Sequence, residues 1–287
     1  MKHIFNFIFY MCLVASCLAQ KKGEKDHKMY IQKAYIHENP YEISLKKDWP
    51  YLLTGTALAA TGHFVFENDN VTPYTITELD ALDRNDVIAF DRVATYNRNA
   101  GAEKTSDALL LGSVVILPSL FLLHRPTRKN FGGLLVMTYE AFSINYGITT
   151  IVKSAVNRTR PYTYNHEDYS NAERTDPESR FSYFSGHTSA TAALSFLWAK
   201  VITDYHPHIT KGYKIGIWGF AALIPATTGY LRIEAGKHYP TDVITGYVVG
   251  AVTGLLIPEM HKIKNPNVNF FTSKLYDVRT LGFSLKF

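Results

Sequence analysis

Six long apolar stretches punctuate an otherwise mixed chain: Pro50 to Phe66, Ala108 to Leu123, Gly132 to Val152, Ser189 to Val201, Ile215 to Tyr230 and Val243 to Ile257. Each is too long for a typical strand, so length predicts helices. The last carries Gly246, Gly250 and Gly254 at four-residue spacing, a small-residue face along which another helix can approach closely. After Met260 the period changes. Leu281, Phe283, Leu285 and Phe287 alternate with Gly282, Ser284 and Lys286, which predicts a strand packed against the body. The expected fold class is therefore all-α, a bundle of about six apolar helices with a short C-terminal strand-like tail.

Whether the helices lie in lipid turns on length and charge. Several stretches are shorter than the roughly 20 apolar residues that a spanning helix needs. Glu140 and Asn145 sit inside the third and Lys200 inside the fourth, so a soluble bundle is the alternative. Leu109 to Leu123 and Val243 to Ile257 contain no charged residue, and they favour a membrane-embedded bundle. In that setting Glu140 must face the bundle interior.

The amino terminus reads as an export signal. Lys2 and His3 precede the apolar run Ile4 to Ala15, and Ser16-Cys17-Leu18-Ala19 offers cleavage after Ala19. Val14-Ala15-Ser16-Cys17 also resembles a lipobox, which would make Cys17 a lipid anchor. The two cysteines, Cys12 and Cys17, both lie in this segment, so its removal leaves no disulfide. The chain divides into a signal at 1–19, a polar lead-in at 20–48, a helical domain at 49–258 with a motif core at 105–258, and a tail at 259–287. Charged residues make up 19% against about 25% in soluble domains, and hydrophobic residues 46%, so a large core is available. The net charge of +5 is spread along the chain and forms no basic stripe, which argues against a nucleic-acid partner.

Three short motifs at helix ends carry the candidate chemistry. Lys153-x6-Arg160-Pro161 follows the third apolar stretch, Ser185-Gly186-His187 precedes the fourth, and Arg232-x5-His238-x3-Asp242 links the fifth to the sixth. Pro240 suits the first turn of a helix, which places His238 just outside it and Asp242 within it. A carboxylate at that offset can hold one imidazole nitrogen and leave the other free as a nucleophile. Gly186 at a helix start lets a phosphate approach backbone N–H groups, and His187 beside it is a candidate general acid. Lys153, Arg160 and Arg232 supply permanent cations for equatorial phosphoryl oxygens, and no metal is required. Taken singly, each motif reads as a cap, a loop or an interface anchor. Three in order, at one end of one bundle, read as a site.

This pattern resembles the type 2 phosphatidic acid phosphatase and vanadium haloperoxidase superfamily, on Lys153 to Pro161, Phe184 to His187 and Arg232 to Asp242. The resemblance implies an all-helical core with His238 as nucleophile, Asp242 orienting it and His187 as acid. It also implies phosphate held by Lys153, Arg160 and Arg232 with help from Ser185 and Gly186. Two positions depart from the family pattern: Phe184 stands where proline is usual, and Leu231 where serine is usual. The expected activity is hydrolysis of a lipid phosphate or diphosphate through a phosphohistidine, without a cofactor. A soluble periplasmic acid phosphatase and a vanadate-dependent haloperoxidase are the alternative enzymes, and a membrane structural protein is the non-enzyme alternative.

Arg125, Arg128 and Lys129 lie in a loop at the end away from the motifs, and the positive-inside rule puts the site on the periplasmic face. Six spans from an exported terminus give the opposite side, so one segment should not span. Pro50 to Phe66, interrupted by Thr, Gly and His63, is the candidate. His206-Pro207-His208 reads as a solvated loop, and His166-Glu167-Asp168 as a loop between the first two motifs.

Overall fold

A computed structural model describes residues 39–68, 72–263, 268–275 and 278–285. The expected signal segment at 1–19 and most of the lead-in lie outside these residues.

All six apolar stretches are helical; five helices run beyond both ends of their stretch, while the second starts earlier than its stretch and stops at Ser119, followed by a 3-10 turn at Leu120–Leu122. The helices are α1 (Leu45–Glu67), α2 (Ile76–Asp80), α3 (Ala89–Arg92), α4 (Ala100–Ser119), α5 (Arg125–Lys129), α6 (Phe131–Val156), α7 (Asn171–Arg174), α8 (Gly186–Tyr205), α9 (Lys211–Glu234) and α10 (Pro240–His261). The extra turns are polar ends closed by caps. Asn99 accepts from Ala102 N to start α4, and Ser185 accepts from Thr188 N to start α8. Asn157 ends α6 in the left-handed region, a common helix stop. The first stretch, expected not to span, forms one continuous 23-residue helix, α1, alongside α6, and α1 is not among the described helices long and apolar enough to cross a membrane.

The central helix is α8, packed against α4, α6, α9 and α10. The glycine face of α10 makes its closest approach possible. A Cβ on Gly246, Gly250 or Gly254 would run into the carbonyl oxygens of Ser185, Ser189 and Ala193 respectively. The opposite face of α10 presents Ile244, Val248, Val252 and Leu256 outward, all exposed. Ala100–Leu122 and Pro240–His261 are, among the described residues, the two segments long and apolar enough to cross a membrane. Exposed apolar side chains also line α4 and α9, more than a water-facing monomer usually leaves open.

The bundle interior is divided by chemistry. Phe121, Leu134, Met137, Leu197, Val201 and Ile257 form an apolar cluster toward one end. Beside it lies a buried polar knot. Glu140 does face the interior, and its partner is His261, whose Nε2 is 3.2 Å from Oε2 and 3.6 Å from Asp48 Oδ1. The other end gathers the carboxyl ends of α6 and α9 and the amino ends of α8 and α10, under a cap built from α2, α3, α7 and short 3-10 turns.

The tail is a hairpin rather than one strand. β1 (Val268–Leu275) pairs antiparallel with β2 (Val278–Leu285), and the expected packing of the tail on the body lies outside what the described contacts report. The helical body begins earlier than expected, since Tyr41 is fully buried and its backbone bridges Lys262.

Candidate active site

Backbone geometry at the capped end brings the three motifs to one place. Ser185 N donates to Asp242 O at 3.1 Å, joining the start of α8 to the start of α10. His238 N donates to Arg232 O at 3.3 Å, folding the turn after α9 back on its last residues. Gly236 allows that turn, at φ +63° with its Cα against Asn97 O where no side chain fits. The first and second motifs meet where Arg160 N donates to Ser179 O at 2.7 Å and Ser182 N to Arg158 O at 2.8 Å.

His238 is 1% exposed at the centre of this end. Its Nδ1 stands 3.6 Å from Asp242 Oδ2, ion-pair distance rather than a hydrogen bond, which leaves Nε2 as the nitrogen away from the carboxylate. Burial holds the imidazole well below its usual pKa, and Lys153, Arg160, Arg232 and His187 push in the same direction. A neutral imidazole among cations is the form a nucleophile toward an anionic group would take.

Lys153, in the last turn of α6, donates from Nζ to Phe181 O at 2.6 Å. Arg160 Nη2 reaches Glu178 Oε2 at 3.5 Å, and Arg232 Nη1 reaches Ser106 Oγ and Asp107 Oδ1, both at 3.4 Å. The Nε groups of both arginines are buried without a hydrogen-bond acceptor among the described residues. Buried guanidinium N–H groups left unpaired are costly unless an anion takes them. His187 Nε2 is paired with Asp107 Oδ1 at 2.8 Å.

The two small residues of the second motif differ from expectation in detail. The Ser185 hydroxyl is buried and spent on the α8 cap, accepting from Thr188 N and lying 2.9 Å from Thr188 Oγ1. Gly186 opens α8 beside Thr149, where an added Cβ would sit 3.2 Å from Cγ2. Among the departures from the family pattern, Phe184 is buried with its ring edge-on to Tyr183.

Four residues in the site were not singled out from sequence. Asp107 links His187 to Arg232, Ser182 Oγ donates to Asp242 Oδ2 at 2.5 Å, and Arg158 and Asp91 lie behind Asp242. Their partners are between 60 and 150 residues away, and no local pattern announces them. His206 turns out to lie against His124 at the opposite end of the bundle, ring centroids 4.4 Å apart and tilted by 54°. Among the described residues no group of three or more His, Cys, Asp or Glu side chains is arranged to hold a metal.

The PAP2 superfamily model matches residues 134–266, a span that contains all three motifs in order. That span is just under half of the 287 residues, and over it the sequence is similar to the PAP2 superfamily. Phosphatidylglycerophosphatase B of Bacillus subtilis (strain 168) is 26% identical to this chain over 152 residues, covering 53% of it and 68% of that relative. Lipid A 4'-phosphatase of Porphyromonas gingivalis is 28% identical over 82 residues, 29% of this chain and 30% of the relative. A crystal structure of a transmembrane PAP2 type phosphatidylglycerolphosphate phosphatase from Bacillus subtilis shares 21% identity and superposes with a TM-score of 0.45, over 75% of this chain and 95% of its own.

Proposed function

We propose that this protein is a PAP2-type, membrane-embedded phosphatase that hydrolyses a lipid phosphate or diphosphate monoester through a phosphohistidine at His238. The observation that carries the reading is a buried neutral imidazole beside two arginines whose inner N–H groups have no protein acceptor. Phosphoryl oxygens fit those donors, and phosphoryl transfer needs little more than such positioning and charge.

In the first step His238 Nε2 attacks phosphorus and the ester P–O bond breaks. Asp242 supports the positive charge that develops on the ring, and His187 gives a proton to the departing alkoxide. Water then attacks the phosphohistidine with His187 as base, which releases inorganic phosphate and restores neutral His238. Lys153, Arg160 and Arg232 hold the equatorial oxygens throughout. No metal takes part in these steps.

Substrates reach the site from the membrane. The outward apolar faces of α4, α9 and α10 meet lipid, and the capped end faces the periplasm. Supporting that orientation, Arg125, Arg128 and Lys129 of the α5 region lie at the end of the bundle away from the motifs. The two named relatives act on phosphates carried by lipids, which places phosphatidylglycerol phosphate and a lipid A phosphate first in a substrate panel.

The test is phosphate release from that panel by purified protein in EDTA, beside His238→Ala. The expected result is metal-independent release from at least one lipid, reduced about a thousandfold in the variant. Wild-type rates in His238→Ala, or release that disappears with EDTA, would overturn the mechanism.

A further inference from the structure

Arg158 carries a charge that the phosphate site does not use. Its guanidinium is clamped between two carboxylates: Nη1 donates to Asp242 Oδ1 at 2.5 Å and to Thr241 Oγ1 at 2.8 Å, and Nη2 donates to Asp91 Oδ2 at 2.7 Å. The ring of Tyr239 covers it, with the guanidinium carbon 4.1 Å from the centroid. Asp91 is engaged on both oxygens, since Oδ1 accepts from Thr241 N at 2.9 Å and Oδ2 from Thr241 Oγ1 at 2.6 Å. Phe90, next to it in α3, is 59% exposed while Asp91 is 0% exposed, so the segment turns this one carboxylate inward.

The charges of this arrangement matter for His238. Asp242 alone would offer the imidazole a full negative charge, but Arg158 cancels it while fixing the carboxylate. With Asp91 included, the group of three carries a formal charge of −1 again. Water is excluded from both carboxylates, so this charge acts through a medium that screens it weakly.

We propose that Asp91 and Arg158 are positioning residues for the His238–Asp242 pair. Arg158 fixes the rotation of the Asp242 carboxylate so that Oδ2 faces the imidazole, and Asp91 keeps the assembly net negative beside a ring that becomes cationic on attack. The proposal rests on His238 being the nucleophile. Neither residue contacts the arginines and lysine that hold phosphate, so the loss should appear in turnover rather than in substrate affinity.

The experiment measures kcat, KM and the pH dependence of kcat/KM for Asp91→Asn, Arg158→Lys and the double variant Asp91→Asn/Arg158→Gln, alongside wild type and His238→Ala. Rates are normalised to folded protein, from thermal unfolding in detergent. For Asp91→Asn the expected result is about a tenfold fall in kcat with KM changed less than about threefold. The acid limb should move to lower pH, because removing a negative charge makes His238 harder to protonate. Arg158→Lys keeps the charge and loses the two-sided clamp, so kcat falls with the limb unmoved. The double variant restores the net charge of −1 and should recover part of the kcat lost in Asp91→Asn. Losses that track only the folded fraction, or an unmoved acid limb in Asp91→Asn, would overturn the proposal. A His238→Ala protein with wild-type turnover would instead sink the nucleophile reading beneath it, whatever Asp91→Asn does.

Discussion

Asp107 Oδ1 lies 2.8 Å from His187 Nε2, so the candidate acid of the second motif is tied to a carboxylate from α4, outside all three motifs. The same oxygen is 3.4 Å from Arg232 Nη1, which makes Asp107 the link between the candidate acid and a candidate phosphate-binding arginine. Removing it should expose the difference between leaving groups that need a proton and those that do not. For Asp107→Ala and His187→Ala we expect alkyl phosphate hydrolysis to fall about a hundredfold, within the range typical of general acid catalysis. Nitrophenyl phosphate, whose leaving group departs as the anion, should lose much less. Equal losses on both esters would remove His187 from the acid role.

The buried position of His238 gives a second expectation. Its folded-state pKa is depressed, first by burial and then by the surrounding cations. The neutral, nucleophilic form therefore persists as pH falls, and the ionisation of His238 in kcat/KM should lie well below the ordinary histidine value of about 6.5. The same shift has a cost for stability. Below about pH 6.5 the unfolded chain takes up a proton at this position that the folded chain refuses, so stability falls as pH falls. His238→Gln should flatten that part of the stability profile, measured by unfolding between about pH 7 and 5. An unchanged profile would show that His238 does not contribute to it.

At the opposite end, His261 stands between Glu140 and Asp48, all three buried. His261→Ala would leave the buried carboxyl groups of Glu140 and Asp48 without the imidazole between them. Leaving a buried polar group without its partner typically costs about 1–3 kcal/mol, and we expect a loss of that order in detergent unfolding. Because the knot is remote from His238, KM in the surviving folded fraction should be unchanged.

The α8–α10 contact is equally specific. Gly250→Leu places a side chain against Ser189 O and Ala192 Cβ, both backbone-anchored neighbours that cannot swing aside. We expect a loss of at least about 1–3 kcal/mol, the usual cost of overpacking. Activity should fall as well, since the same helix pair sets Ser185 against Asp242. A fully stable Gly250→Leu protein would contradict this account of the contact.

The six long helices were legible because apolar runs of that length have few other solutions. Their ends were less so. Ser185 and Asn99 caps and the polar first turn of α9 add residues that hydrophobicity does not mark. The short elements between residues 76 and 96 and between 161 and 180 were not read at all. They are one or two turns long, and packing over the site rather than periodicity holds them. β1 was missed for a related reason: Val268–Leu275 places Phe270 beside Phe271 and Thr272 beside Ser273, which breaks the alternation that marked β2.

That the three motifs come together at one end of the bundle was readable, because order and spacing carry information. What supports them was not. Arg158 sits inside the first motif, yet only the fold shows that it turns away from phosphate toward Asp91 and Asp242. Glu140 could be assigned to the interior from its apolar surroundings, but its partner His261 is at the far end of another helix.

The central claim is covalent, and rapid quenching tests it most directly. Wild-type protein mixed with a ³²P-labelled lipid phosphate and stopped within milliseconds should carry a phosphoryl group that is stable in alkali and lost in acid, as a phosphoimidazole is. Peptide mapping should place it on His238, and His238→Ala should carry none. A label on another residue, or turnover without any labelled protein, would contradict the account.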